Sequence, residues 1–291
     1  MSVVTTTVKT SHADLAVAQS SGRGLPLVLI HGNSASKDVF RRVLASELAD
    51  TYRMIAVDLP GHGESSDAFD PPRTYSMPGY AEAVIEALGK LNVERLAVYG
   101  WSLGGHVALE MMPRMQGIVG VMLSGAPPVS PTPESMQSAF LPNPLTALLG
   151  KEKLTEAEIA DLAGAVYGDH NSPAYMGAMR RTDGRARALM FASLFAGKIS
   201  DQHAIAVESM VPVALVNGAD DPFVNVDYLI KLKLPQLWER HCYALRGGGH
   251  APFLTVPETF DSIFRRFAAD MARRASAPTV RAVARRSGAA A

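Results

Sequence analysis

Cysteine is nearly absent: Cys242 stands alone among 291 residues. That excludes an intramolecular disulfide and any metal site built from several thiolates. The lone thiol reads as a small buried apolar side chain. An excess charge is also missing, with 28 Lys plus Arg against 28 Asp plus Glu. No global field then draws the chain to nucleic acid, an anionic membrane or an acidic substrate, so a neutral or mixed small-molecule ligand is expected. Uncharged apolar runs fall short of the roughly 18 to 20 residues that cross a bilayer, which argues against a membrane span. Met1 to Ser11 has neither the basic start nor the apolar stretch of a secretory signal, and a cytoplasmic location is the expectation.

What is present is apolar: 47% of residues, against 19% charged, enough for a large buried core. Short apolar runs at Leu25–Ile30, Met54–Val57, Leu96–Tyr99, Val119–Leu123 and Val213–Val216 end in loops carrying glycine or aspartate. They read as buried parallel strands. Helix-like stretches at Val39–Leu48, Tyr80–Leu91 and His106–Met115 alternate with them, the pattern of a doubly wound α/β sheet. Thr5–Lys9 and Leu15–Gln19 would add an antiparallel hairpin at its edge. Ligands bind such sheets at the strands' C-terminal ends.

The alternation breaks after Pro127, where five prolines between Pro128 and Pro144 exclude a regular strand. From Thr155 the spacing turns helical, opened by a capping box of Thr155 and Glu158. Strand-like sequence returns only at Val211. The expected organisation is a sheet domain of residues 1–128 and 211–270, a helical cap of residues 129–210, and a flexible basic tail of residues 271–291.

The sharpest local signal is Gly100-Trp101-Ser102-Leu103-Gly104, between a strand and the helix predicted over Gly105–Met112. This is the pattern of a nucleophile elbow, whose tight turn needs small residues two before and two after the serine. The helix that follows aims its N-terminal amides at the point where a negative oxygen would form in acyl transfer. His31-Gly32-Asn33-Ser34 lies at a neighbouring strand end, so the backbone amides of Asn33 and Leu103 are the expected oxyanion donors. His31 is expected to shape that loop; with Gly32 and Trp101 it is also carried as a candidate substrate contact. Asp221 and Asp220, in the turn after the Val213 strand, are both candidate triad acids, with Asp221 at the better spacing from Gly218. Gly247-Gly248-Gly249-His250 supplies the general base. The chain order Ser, Asp, His is that of the α/β-hydrolase fold. Asp58-Leu59-Pro60-Gly61-His62-Gly63-Glu64-Ser65 reads as a structural turn.

These segments together make residues 25–267 resemble the α/β-hydrolase superfamily. Within it, HGNS at 31–34, YSMPGYA at 75–81, GWSLGGH at 100–106 and RTDGRAR at 181–187 resemble the metal-independent N-acylhomoserine lactonases of that fold. The resemblance implies a serine hydrolase that opens the lactone ring of bacterial signalling molecules and so quenches quorum sensing. In one such lactonase the triad acid is a glutamate, and the matching position here is Asp221. The other lactonase class uses a dense histidine cluster around two metals, whereas the eight histidines here are dispersed; no metal and no cofactor is expected. Met136, Phe140, Met176, Met179, Met190, Phe191 and Phe195 are candidate walls of an acyl-chain tunnel. The same triad would serve a general carboxylesterase, a carbon–carbon bond hydrolase or a small-molecule receptor of the same fold.

Overall fold

The computed structural model describes residues 3–277. Among them, eight strands form one sheet in the order β1-β2-β4-β3-β5-β6-β7-β8. The edge hairpin β1 (Val4–Lys9) and β2 (Asp14–Gln19) is antiparallel, and β2 also runs antiparallel to β4. The rest is parallel: β3 (Gly24–Ile30), β4 (Tyr52–Val57), β5 (Leu96–Trp101), β6 (Ile118–Ser124), β7 (Val213–Gly218) and β8 (Leu237–Leu245). Strands β5, β6 and β7 are buried at every residue, because helices cover both faces. On one face lie α1 (Met77–Lys90) and α2 (Leu103–Met111). On the other, Phe260 and Phe264 of the C-terminal helix pack tilted and edge-on against Tyr99 of β5.

Three expectations are corrected. The predicted helix over Val39–Leu48 is broken into a 3-10 turn, Lys37–Phe40, and two short helices, Arg41–Leu44 and Leu48–Thr51. Ser46 closes the middle piece, since both its backbone N–H and its hydroxyl donate to the Val43 carbonyl. The helix expected to reach Met115 ends at Met111, two residues ahead of Pro113, which has no N–H to give to the Leu109 carbonyl. Strand β8 begins at Leu237, earlier than the Cys242 expected, after which Glu239 and Arg240 adopt φ of 51° and 54°.

Strands β6 and β7 are neighbours in the sheet, yet residues 125–212 lie between them. This insert carries α3 (Pro133–Ala139), α4 (Glu156–Tyr167), α5 (Pro173–Arg181), α6 (Gly184–Phe195) and α7 (Gln202–Glu208). Thr155 and Glu158 form the capping box of α4. At the C-terminus, α8 (Pro257–Ser276) runs six residues into the predicted tail, because Met271 is buried and its sulfur sits over Gly120 of β6. The remainder of that tail, with Arg281, Arg285 and Arg286, lies outside the described residues. Cys242 is buried, which pushes its thiol pKa up to about 12. No helix among the described residues is long and apolar enough to cross a membrane.

Candidate active site

Ser102 links β5 to α2 with φ 54° and ψ −123°, a left-handed conformation that costs a side-chain-bearing residue roughly 1–3 kcal/mol. Its neighbours hold it there. Its amide donates to the Ser124 carbonyl at 2.8 Å, and its own carbonyl accepts from Gly105 and His106. The flanking glycines are required by close approach: a Cβ on Gly100 would sit 2.3 Å from the Gly104 carbonyl oxygen, and one on Gly104 would sit 2.1 Å from that of Ile30.

His250 Nε2 lies 3.0 Å from Ser102 Oγ, and its Nδ1 lies 2.9 Å and 3.1 Å from the two carboxylate oxygens of Asp221. Asp221 is 4% exposed and His250 6%. Asp221 Oδ1 also accepts the backbone N–H groups of Phe223 and Val224. A carboxylate so loaded with donors is an acceptor, so Nδ1 carries the imidazole proton and Nε2 turns a lone pair to the serine. Trp101 fixes the loop from below, its indole N–H donating to the His250 carbonyl at 2.7 Å. Asp220 points elsewhere: its carboxylate accepts the Gly247 N–H at 3.0 Å and braces the glycine-rich loop. The imidazole's partner in this geometry is Asp221.

The Asn33 and Leu103 amides have no acceptor among the described residues and flank Ser102 at the cavity floor. The Asn33 side chain is engaged by the insert, donating to the Leu149 carbonyl at 2.8 Å. Gly32 is needed where it is, since a Cβ there would come 3.0 Å from Ser102 Cβ. His31 is fully buried: Nδ1 donates to the Gly32 carbonyl, and Nε2 accepts the Leu59 N–H. Burial lowers its pKa to about 4, so the ring is neutral near pH 7. His31 and Gly32 therefore shape the loop and do not line the cavity, which corrects their place as candidate substrate contacts.

Above Ser102 and His250 is a cavity of about 570 Å³. Trp101, Phe140 and Phe191 line it as expected, with Met136, Met190 and Phe195. Met176 and Met179 do not. Both pack into the core beneath α5, which meets α4 through the Tyr167–Tyr175 ring pair and so turns its methionines away from the cavity. The sequence showed neither Leu149 nor His106 as wall residues, although His106 closes the GWSLGGH segment one helical turn after Ser102.

The insert shares the apolar core of the sheet domain through Ala139, Ala186, Met190 and Ala206, and polar ties cross the join as well. Tyr75 donates to Asp183 at 2.6 Å, joining YSMPGYA to RTDGRAR. Arg187, 4% exposed, donates to the carbonyls of Lys151, Glu152 and Met179 and to Ser34 Oγ beside the Asn33 amide. Burial lowers its pKa, opposed only by more distant carboxylates. Asp58, in the DLPGHGES turn, is buried and accepts from the Lys37 and Glu64 amides and the Lys37 ammonium, a structural knot. No group of three or more His, Cys, Asp or Glu among the described residues could hold a metal ion.

Residues 27–263 match the model of the alpha/beta hydrolase family. The chain belongs to the alpha/beta hydrolase family. This hydrolase is 30% identical over 264 residues to the pimeloyl-acyl-carrier-protein methyl ester esterase of Nitrosomonas europaea, covering 84% of the chain and 96% of that enzyme. Among solved structures it is similar to a variant of N-acyl homoserine lactonase AidH complexed with N-hexanoyl homoserine lactone. There the TM-score is 0.90 and the identity 40%, over 93% of this chain and 99% of that one. AidH complexed with N-butanoyl homoserine gives 0.89 and 41%, over 92% and 97%.

Proposed function

We propose that this hydrolase opens the ring of N-acyl homoserine lactones through Ser102, His250 and Asp221, and so quenches quorum sensing. The observation that carries the reading is the reach of the likeness to AidH, which runs through the insert as well as the sheet. The elbow and triad are common to many chemistries of the fold, whereas the roof over the serine is where substrate choice resides. An apolar cavity above a triad suits an acyl chain with one reacting carbonyl.

In this mechanism His250 Nε2 takes the Ser102 proton as Oγ attacks the lactone carbonyl. The oxyanion that forms rests on the Asn33 and Leu103 amides, and Asp221 stabilises the imidazolium. Collapse breaks the ring C–O bond, the leaving oxygen takes the proton from His250, and the acyl group stays on Ser102. Water, deprotonated by His250, then attacks the ester and releases N-acyl homoserine. The freed γ-hydroxyl is tethered and has a high effective molarity for re-closure, so turnover requires that it be held away from the ester. Direct attack of water on the lactone, with His250 as base, is the other route. A trapped acyl-Ser102 excludes it.

A second reading has its own support: the esterase of N. europaea matches most of this chain, and the same triad serves acyclic esters. The two separate on N-hexanoyl homoserine lactone and methyl hexanoate, with acid release followed by titration and products by mass. The lactone reading predicts a kcat/KM at least tenfold higher for the lactone. Cleavage of the methyl ester alone overturns it.

A further inference from the structure

A second imidazole stands on the cavity wall. His106 follows Ser102 by one turn of α2, and its N–H donates to the Ser102 carbonyl at 3.3 Å. Ser102 and His106 line the same cavity. The residue is only 6% exposed, and that exposure opens on the cavity beside Phe140.

The proton on this ring is assigned by its neighbours. His106 Nδ1 lies 2.7 Å from Oε1 of Gln202, whose side chain is wholly buried. The Gln202 amide nitrogen faces the Glu110 carboxylate at 3.2 Å and the His106 carbonyl at 3.4 Å, both of them acceptors. Glu110 is pinned in turn by Arg114 and by the Ser200 amide and hydroxyl. The amide of Gln202 therefore turns its oxygen to the ring, and Nδ1 holds the hydrogen. Nε2, with no partner among the described residues, is left with a lone pair. Burial lowers the pKa of the ring, more than the Gln202 bond and Glu110 raise it, which keeps it neutral. The ring packs against Phe140, centroids 6.2 Å apart, which offers no side-chain donor.

We propose that His106 Nε2 accepts a hydrogen bond from an N–H borne on the carbon next to the scissile carbonyl, so the cavity selects α-acylamino esters and lactones. The inference rests on the lactone reading and deepens it. In an N-acyl homoserine lactone the amide nitrogen is two bonds from the ring carbonyl carbon. With that carbon over Ser102 Oγ, the N–H lies in the cavity whose wall carries His106. A simple fatty acid methyl ester has no donor there.

The test compares N-hexanoyl homoserine lactone with 2-hexanoyloxy-γ-butyrolactone, in which an ester oxygen replaces the N–H, and reads ring-opened product by mass. Wild type should prefer the amide by about 10- to 100-fold in kcat/KM, the range for a buried acceptor left unpaired. His106→Phe should reduce the preference to within threefold, and His106→Gln, which keeps an acceptor, should recover part of it. Because each ratio is taken on one protein, any loss of folded enzyme cancels. A preference that survives in His106→Phe, or equal rates in wild type, overturns the proposal while leaving lactone opening intact. Failure of wild type to open either ring overturns both.

Discussion

The floor and the roof of the cavity are made of different materials. At the floor, Ser102, Asp221 and His250 sit on strand-end turns of a sheet whose central strands are wholly buried, and hydrogen bonds fix each side chain. The roof is helical, and its contribution is apolar and partly open: Phe191 is half-buried and Phe195 is 79% exposed. Its attachment combines apolar packing, with Ala139, Ala186, Met190 and Ala206 in the sheet domain's core, and polar side chains, among them Arg187, Tyr75, Asn33 and Gln202. The contrast teaches where each property resides. Reaction chemistry needs atoms held to within fractions of an ångström, which strained turns over a rigid sheet provide. Substrate choice needs a shaped apolar wall, which Met136, Phe140, Met190 and Phe191 of the insert supply.

Breaking the floor should cost the most. Asp221→Asn is expected to lower kcat about 10⁴-fold by leaving the imidazole in the wrong tautomer, with little change in thermal midpoint. Asp220→Asn should cost less than tenfold, because its partner is the Gly247 amide. Equal losses in the two variants would contradict the assignment.

At the join between floor and roof, Arg187→Met removes the donors to three carbonyls and to Ser34. A loss of about 2–4 kcal/mol in urea unfolding is expected, together with a fall in kcat/KM larger than the unfolded fraction explains. A stable variant with normal kcat/KM would separate the roof from the oxyanion loop.

The floor also has an acid limit. His62 is buried, and burial brings its pKa down to about 3; its Nδ1 donates to the Pro60 carbonyl. Below pH 6.5 the unfolded chain takes up this proton first, so the stability is fully present above that value and declines toward pH 3. His62→Phe should reduce the stability lost between pH 7 and pH 5 by about 2 kcal/mol, read from urea midpoints at both values. An unchanged slope would assign the acid loss elsewhere.

The smallest effect is expected at a single tie. Tyr75→Phe loses the bond to Asp183 and leaves the Ala68 amide without its acceptor, costing about 1–2 kcal/mol while kcat changes less than threefold.

The same division explains what could be read from sequence. Gly100, Gly104 and the His250 loop are visible because turn geometry admits few residue types, and the buried strands are visible as apolar runs. The faces of the insert were not, since amphipathic spacing gives a helix but not the direction its stripe points; Met176 and Met179 fill the core for that reason. Arg187 and His106 were hidden differently. Their roles depend on partners distant in sequence, Ser34 and Gln202, which no local pattern connects. The early start of β8 was masked by Glu239, Arg240 and His241, charged or polar residues at an exposed edge.

The central claim is that Ser102 itself attacks the lactone carbonyl. Its most direct measurement is turnover of N-hexanoyl homoserine lactone by wild type and Ser102→Ala, with chelator present and quenched samples weighed as intact protein. Wild type should open the ring and carry a transient N-hexanoyl homoserine adduct on Ser102, and Ser102→Ala should show neither. Ring opening that persists in Ser102→Ala would contradict the account.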